Sequence, residues 1–183
     1  MRADPAGSRH LRIREDGGVS REPYRICFVC TGNICRSPTA EVVMRRLLDE
    51  AGLAGRVVVD SAGTAGYHLG DDADPRSRAT LEAAGYAFRH TARRFESSWF
   101  AHRDLVVALD SGHLSLLRRS AHTAEERAKV VRLRDWDPES RRHGDKDVPD
   151  PYYGGDRGFD DVLEMVERSC AGLLDHIRTQ MGV

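Results

Sequence analysis

The sequence predicts an α/β fold with three layers, in which a four-stranded parallel sheet carries helices on both faces. Two observations predict it. Short β-branched runs alternate along the chain with segments whose apolar residues recur at the three-four spacing of a helix. In addition, 183 residues with 40% hydrophobic and 31% charged content suffice for one soluble domain with a single sizeable core.

The first strand is predicted at 24–29, where a β-branched and aromatic run precedes a loop that contains Gly32. A helix follows at 38–51, because its apolar residues recur at helical spacing and Gly52 marks its end. The second strand is predicted at 56–61, which contains three consecutive valines. These three elements begin the alternation of strand and helix.

The alternation continues with a helix at 75–84, which has a proline in its first turn and Gly85 at its end. The third strand is predicted at 104–109, and a leucine-bearing helix follows at 111–120. A fourth, short strand is predicted at 130–133. Four strands with intervening helices favour parallel pairing throughout.

The segment 134–158 is rich in Asp, Pro and Gly and lacks periodicity, so it is predicted to be a long loop of the kind that is often functional. The last helix is predicted at 159–181, where apolar residues recur on one face. Residues 1–22 are predicted to form a flexible tail, because they hold few large apolar groups. Leu11 and Ile13 are compatible with one short strand there.

Residues 23–183 are then expected to form a single domain. The net charge of −1 provides no global field for nucleic acid or acidic membranes, so we expect neither as a partner. The sequence has no apolar run of the roughly 20 residues that a membrane helix needs, and no signal-peptide core at its start. Four cysteines in a chain of this length favour a reducing cytoplasm over a disulfide framework.

The loop after the first strand, with the sequence CTGNICRS over 30–37, carries the reactive groups. It lies beyond the carboxyl end of a strand, where parallel sheets bind ligands. Its backbone N–H groups and the following helix suit a phosphate dianion, and they also stabilise a nucleophilic thiolate at Cys30. Arg36 offers a planar fork to two phosphate oxygens. The expected phosphate-binding residues are Thr31, Gly32, Asn33, Ile34, Cys35, Arg36 and Ser37.

The residues of this loop also bear on other functions. An ATP-type phosphate loop ends in Gly-Lys-Ser/Thr, and this loop has no lysine. A zinc site needs paired ligands that no Cys or His pair supplies, so no metal is expected. Cys27 and Cys30 form a C-x-x-C that suggests thioredoxin chemistry, although core packing is the simpler role for Cys27 inside a strand. Ser37 is either a donor to the Cys30 sulfur or an ordinary helix N-cap.

The segment 29–38, VCTGNICRSP, resembles the signature of the low-molecular-weight protein tyrosine phosphatases. The resemblance extends through DSAGT at 60–64, ADPR at 73–76 and DPYYG at 150–154, and it covers about 24–180. It implies a flavodoxin-like phosphatase that hydrolyses phosphotyrosine on signalling proteins through a phosphocysteine intermediate, without metal or cofactor. The implied partners are phosphotyrosine-containing proteins, with phosphate or another oxyanion in the active site.

The resemblance assigns the general acid to Asp150, which would protonate the leaving tyrosine oxygen and later deprotonate water. Spacing alone does not choose among the carboxylates of this loop. Four aspartates share the loop with Asp150, and solvated loop charge is the simpler role for each of them: Asp135, Asp137, Asp145 and Asp147. The resemblance also implies a substrate pocket, in which a tyrosine replaces the tryptophan usual at position 67. The implied pocket residues are Tyr67, His68, Tyr152 and Tyr153.

A hydrogen-bond network that holds the phosphate loop is likewise implied by the resemblance. Its implied members are Asn33, Ser37, Ser61 and His90. For Cys35 the resemblance implies a reversible disulfide with Cys30, while the residues alone equally favour a small buried side chain. Cys170 lies on the apolar face of the last helix and is expected in the core.

Three competing functions share part of this signature. Protein-arginine phosphatases of the same fold are the main alternative, but they typically have Thr where this chain has Ile34, and this difference favours phosphotyrosine. Arsenate reductases of this fold need further reactive cysteines, and residues 38–169 contain none. A non-catalytic phosphotyrosine-binding module needs neither the Cys30 thiol nor the Asp150 acid. Phosphotyrosine hydrolysis is therefore the favoured function.

Overall fold

The computed structural model of the chain describes residues 11–13 and 19–183. Near its start, strand β1 (Leu11–Ile13) pairs antiparallel with β2 (Val19–Arg21). The strand at Leu11 and Ile13 is therefore present, and it has a partner that the sequence did not predict. The rest of the predicted flexible tail falls mainly on residues outside the described part of the chain, so it stays a prediction.

Four parallel strands form the central sheet, which confirms the predicted fold class. The strands are β3 (Tyr24–Cys30), β4 (Val57–Gly63), β5 (Leu105–Ala108) and β6 (Val130–Arg132). Their order across the sheet is β4-β3-β5-β6. Each strand lies within two residues of its predicted position.

Six described α-helices accompany the sheet. They are α1 (Arg36–Glu50), α2 (Pro75–Ala83), α3 (Ser111–Ser120), α4 (Ala124–Ala128), α5 (Pro138–His143) and α6 (Arg157–Met181). One sheet face, with Ile26 and Phe28, packs against α1 and α6. The other face, with Cys27 and Val29, packs against α3 and a 3₁₀ helix at Ser97–His102. The three-layer arrangement is thus as predicted.

The prediction of a featureless loop over 134–158 is wrong in part, because α5 lies inside it. Asp137 caps this helix by accepting a 3.0 Å hydrogen bond from the backbone N–H of Glu139, and Pro138 occupies its first position. Gly144 ends it in the left-handed conformation, at φ 79°. One and a half turns are too short to show helical periodicity, so only the capping residues signalled this helix.

The sheet places three chain segments at its carboxyl edge. Cys30, the last residue of β3, pairs with Gly63 at the end of β4. A Cβ on Gly63 would lie 2.5 Å from the Thr31 carbonyl oxygen, so only glycine allows the phosphate loop to approach β4 this closely. β5 ends beside them at Ala108, and Asp110 follows. The loop 31–35 therefore lies where parallel sheets bind their ligands.

Candidate active site

Cys30 is 3% exposed at the end of β3, and its Sγ lies 3.0 Å from Ser37 Oγ. The helix α1 begins at Arg36, with Cys35 at the N-cap position and no side-chain cap. The alternative of Ser37 as a helix N-cap is therefore wrong. Ser37 Oγ accepts a 2.9 Å hydrogen bond from Asn33 Nδ2, so its own proton is directed to Cys30 Sγ or, at 3.2 Å, to the Ala62 carbonyl.

Asn33 is fully buried at the turn of the loop. Its φ is 57°, and among the described residues it is the only non-glycine residue with a positive φ. Asparagine tolerates this region better than most side chains. Its Nδ2 donates to both Ser37 and Ser61, each at 2.9 Å, and its Oδ1 accepts from the Arg93 N–H at 2.9 Å. The side chain is thus fully bonded, and it fixes the loop to β4.

Two further groups complete the support of Asn33. His90 Nε2 lies 2.6 Å from the Asn33 carbonyl oxygen, and since a carbonyl only accepts, this nitrogen carries a proton. Ser61 Oγ donates to Glu41 Oε2 at 2.6 Å. The structure therefore brings the four predicted network residues together and adds Glu41 from α1. A glutamate in a helix gives no sequence signal for this contact.

Arg36 is 4% exposed, and three groups hold its guanidinium. Nη1 donates to Asp110 Oδ2 at 2.8 Å and to the Val148 carbonyl at 3.2 Å. Nη2 lies 3.1 Å from Asp150 Oδ2. Burial opposes ionisation of Asp110, but the facing His113 ring, the hydrogen bond from the His113 backbone N–H and the nearby Arg36 charge outweigh it and hold the pKa of Asp110 well below its usual range. Asp110 thus remains a carboxylate that orients Arg36.

Asp110 was not among the predicted site residues. Its position two residues after β5, at the same sheet edge as the phosphate loop, was the available signal. It also caps α3 by accepting the His113 N–H at 2.7 Å. The Asp110 carboxylate therefore caps α3 and also binds the Arg36 guanidinium.

Asp150 lies on the loop between α5 and α6, and it borders the same cavity as Cys30 and Arg36. The four other aspartates weighed for the role of the acid have partners elsewhere. Asp135 pairs with Lys146, Asp137 and Asp145 with Arg134, and Asp147 with the Ser111 N–H. Among these five carboxylates, Asp150 is the one on the cavity.

The cavity has a volume of about 220 Å³. Its lining consists of Cys30, Thr31, Gly32, Ile34, Cys35, Arg36, Tyr67, His68, Asp150, Tyr152 and Tyr153. Tyr67 and Tyr153 are 82% and 90% exposed, so the rim is aromatic and open to solvent. His68 covers Gly32, where a Cβ would lie 2.9 Å from His68 Cδ2. All four predicted pocket residues thus lie at one opening.

Cys27 and Cys30 do not form a redox pair in this structure. Cys27 is fully buried on the opposite face of the sheet, and burial raises the pKa of its thiol well above the ordinary value. Cys170 is buried between α6 and α1, as predicted. Cys35 is a free thiol at the base of the loop, and burial raises its pKa as well. Core packing therefore accounts for Cys27 and Cys170.

The described part of the chain contains no group of three or more His, Cys, Asp or Glu residues arranged to hold a metal ion. None of its helices combines the length and apolar character required to cross a bilayer.

A thiol, a guanidinium and a carboxylate that meet at the carboxyl edge of a parallel sheet define a cysteine-dependent phosphatase. The family model described as low molecular weight phosphotyrosine protein phosphatase matches residues 25–182. The chain belongs to this family.

Individual relatives are similar over most of their length. A low molecular weight protein-tyrosine-phosphatase of Streptomyces coelicolor is 57% identical over 158 residues, which are 86% of this chain and 96% of the relative. A solved protein tyrosine phosphatase from Entamoeba histolytica, with Hepes in its active site, has a TM-score of 0.80 and 34% identity, covering 87% and 98% of the two chains. A Drosophila arginine phosphatase has a TM-score of 0.76 and 29% identity, covering 84% and 97%.

Proposed function

We propose that this phosphatase hydrolyses phosphotyrosine in proteins, with Cys30 as nucleophile, Arg36 as phosphate ligand and Asp150 as general acid and base. One observation carries this assignment: Asp150, from a distant part of the sequence, borders the same cavity of about 220 Å³ as Cys30 and Arg36 of the phosphate loop. The names of the similar relatives support tyrosine as the substrate side chain.

Substrate binding begins with an exchange of partners at Arg36. Its Nη2 lies 3.1 Å from Asp150 in the structure, while Asp110 and the Val148 carbonyl hold Nη1 from behind. A phosphate dianion takes the Nη2 edge, because a guanidinium fork binds phosphate oxygens bidentately. Asp150, released from Arg36, then lies beside the bound phosphate, where it can act on the leaving oxygen.

In the first chemical step, the Cys30 thiolate attacks phosphorus while the bond from phosphorus to the tyrosine oxygen breaks. A phenolate is a poor leaving group because its conjugate acid has a pKa of about 10. Asp150 therefore transfers its proton to the departing oxygen, so that tyrosine leaves as the neutral phenol. The products of this step are phosphocysteine, tyrosine and an ionised Asp150.

In the second step, the Asp150 carboxylate takes a proton from water as the water oxygen attacks phosphorus. The sulfur–phosphorus bond breaks, inorganic phosphate forms, and Cys30 leaves as a thiolate. Ser37 Oγ, 3.0 Å from the sulfur and fixed by Asn33, donates to the negative charge that develops there. Asp150 regains its proton, and the cycle closes without a metal or a cofactor.

The pocket wall supports tyrosine rather than arginine as the substrate side chain. Tyr152 and Tyr153 stack edge to face, with ring centroids 5.0 Å apart, and offer apolar surface to a phenyl ring. Ile34 lines the cavity without a polar group, so it provides no acceptor for the N–H groups of a phosphoguanidinium.

The test compares wild type with Cys30→Ser and Asp150→Asn on two aryl phosphates. Cys30→Ser should abolish turnover. Asp150→Asn should lower kcat by about 10²–10⁴-fold on phosphotyrosine peptide. Its effect should be much smaller on p-nitrophenyl phosphate, whose leaving group needs less protonation.

Asp145→Asn is the matched control, because Asp145 belongs to the same loop but pairs with Arg134 away from the cavity. It should keep wild-type rates on both substrates. Activity that survives Cys30→Ser, or faster turnover of phosphoarginine than of phosphotyrosine peptide, would overturn the assignment.

A further inference from the structure

A buried imidazole beneath the phosphate loop has no part in the mechanism above. His113, in the first turn of α3, is 3% exposed. Its Nε2 lies 2.8 Å from Thr31 Oγ1, on the residue that follows the nucleophile. Its Nδ1 lies 3.0 Å from Asp110 Oδ1, in a contact too poorly aligned to count as a hydrogen bond.

The charge of Asp110 determines which ring nitrogen of His113 carries the hydrogen. A lone pair on Nδ1 facing a carboxylate oxygen at 3.0 Å would be repelled, so the proton of the ring lies on Nδ1. In the neutral ring, Nε2 is then an acceptor, and the Thr31 hydroxyl donates to it. The Thr31 side chain is thereby directed towards α3 while its backbone remains at the cavity.

These contacts close a ring around the phosphate loop. Asp110 Oδ2 accepts from Arg36 at 2.8 Å, while Asp110 Oδ1 faces His113, and His113 holds Thr31. Thr31 and Arg36 are the two ends of the same loop segment. The Asp110 carboxylate and the His113 imidazole, at the start of α3, therefore hold both ends of the phosphate-binding backbone.

Given the phosphatase function proposed above, we propose that His113 is a positioning residue, which sets the geometry of the phosphate loop by holding the Thr31 hydroxyl. It touches neither substrate nor the reacting atoms. Its effect reaches the phosphate through Thr31 on one side and, by way of Asp110, through Arg36 on the other. Substitution of His113 should therefore weaken phosphate binding more than it lowers the stability of the protein.

Two amide substitutions, each of which replaces one ring nitrogen of His113, distinguish the roles of the two nitrogens. In His113→Gln the terminal amide reaches the position of Nε2 and keeps a partner for Thr31. In His113→Asn the shorter amide reaches the position of Nδ1 and loses Thr31. We expect His113→Asn to weaken inorganic phosphate binding and to lower kcat/KM by about tenfold, as for one lost hydrogen bond in a rigid site. His113→Gln should recover most of both values.

A double-mutant cycle with Thr31→Val tests whether the effect passes through Thr31. Thr31→Val keeps the shape of an exposed side chain, so the fold is preserved, and it should reproduce the loss of His113→Asn. The double variant should be no worse than either single variant. His122→Asn, which changes an exposed histidine of the next loop, should leave all values unchanged.

The readouts are the dissociation constant of inorganic phosphate by calorimetry, kcat and KM for p-nitrophenyl phosphate, and the thermal midpoint. Fully additive losses in the cycle would overturn the inference, and so would equal damage from Asn and Gln at position 113. Calorimetry measures phosphate binding without turnover. A wild-type protein that binds phosphate but hydrolyses no phosphotyrosine would therefore contradict the proposed function and leave this inference standing.

Discussion

Asn33 shows how one residue combines backbone and side-chain roles. Its left-handed backbone turns the phosphate loop, and its side-chain amide bonds to Ser37, Ser61 and the Arg93 N–H. A glycine would adopt the left-handed backbone conformation but would make none of the side-chain hydrogen bonds. Most other polar side chains could form hydrogen bonds but would adopt this backbone conformation less readily. Asparagine satisfies both.

Replacing Asn33 by Ala should lower the free energy of unfolding by about 2 kcal/mol or more, because Ser37 and Ser61 lose a buried donor. Asn33→Gly loses the same hydrogen bonds but relaxes the left-handed backbone, so it should be more stable than Asn33→Ala by about 1 kcal/mol. Urea unfolding of the three proteins measures both differences. Equal stability of wild type and Asn33→Ala would refute the role of the network.

At this scale, the sequence reveals residues that belong to a contiguous motif and misses those that tertiary structure brings in. Asn33 and Ser37 lie inside the loop that carries the chemistry, so they were predicted with it. Glu41, Asp110 and His113 reach the site from other elements. Their side chains reach the site only because β5 ends, and α1 and α3 begin, beside the loop. Among the three, only Asp110 had a signal in the sequence, which was its position after a predicted strand.

At the scale of elements, the start of α2 joins the phosphate loop to the acid loop. The Asp74 N–H donates to the Ile34 carbonyl at 2.8 Å, and the Asp74 side chain caps α2. Arg76 bonds to Asp74 at 2.9 Å and donates to the Tyr152 carbonyl at 3.2 Å. This bidentate contact with Arg76 lowers the pKa of Asp74, so the link is ionic near neutral pH. The ADPR segment therefore positions Asp150 relative to Cys30.

Replacing Arg76 by Gln should loosen the acid loop while leaving the phosphate loop in place. We expect kcat on phosphotyrosine peptide to fall by about tenfold, since small displacements of a catalytic group are costly. Inorganic phosphate should bind as tightly as in wild type. Arg78→Gln, which removes a pair with Asp72 one turn away from the link, is the matched control. A change in phosphate affinity without a change in kcat would contradict this role.

The elements themselves were largely predictable from the sequence, since all four strands of the sheet and four helices lie within two residues of expectation. The missed helices, α4 and α5, have five and six residues and show no periodicity. Their caps were visible, as Thr123 with Glu126 and as Asp137 before a proline. Short helices are therefore better predicted from capping residues than from apolar spacing.

At the scale of the whole molecule, the parallel topology determines which residues meet. The site draws on the ends of β3 and β5, the start of α1 and α2, and the loop before α6. These segments span most of the described domain. Loss of the fold and loss of the site should therefore occur together. A condition that destabilises one residue of the network should lower the free energy of unfolding of the whole domain.

His90 gives this coupling a pH dependence. Burial lowers the pKa of His90 below its ordinary value, although the hydrogen bond to the Asn33 carbonyl opposes the shift. The unfolded chain therefore takes up a proton at higher pH than the folded chain does. Stability that is present above the ordinary histidine pKa of about 6.5 is lost as the pH falls towards the lower folded value.

We expect the free energy of unfolding to decline more steeply below about pH 6.5 in wild type than in His90→Gln, because glutamine binds no proton in either state. Urea unfolding at pH 7.5, 6.5 and 5.5 measures the two slopes. His122→Gln, at an exposed histidine whose side chain does not contact the site, should keep the wild-type slope. Identical slopes in wild type and His90→Gln would show that other groups carry the acid sensitivity of the fold.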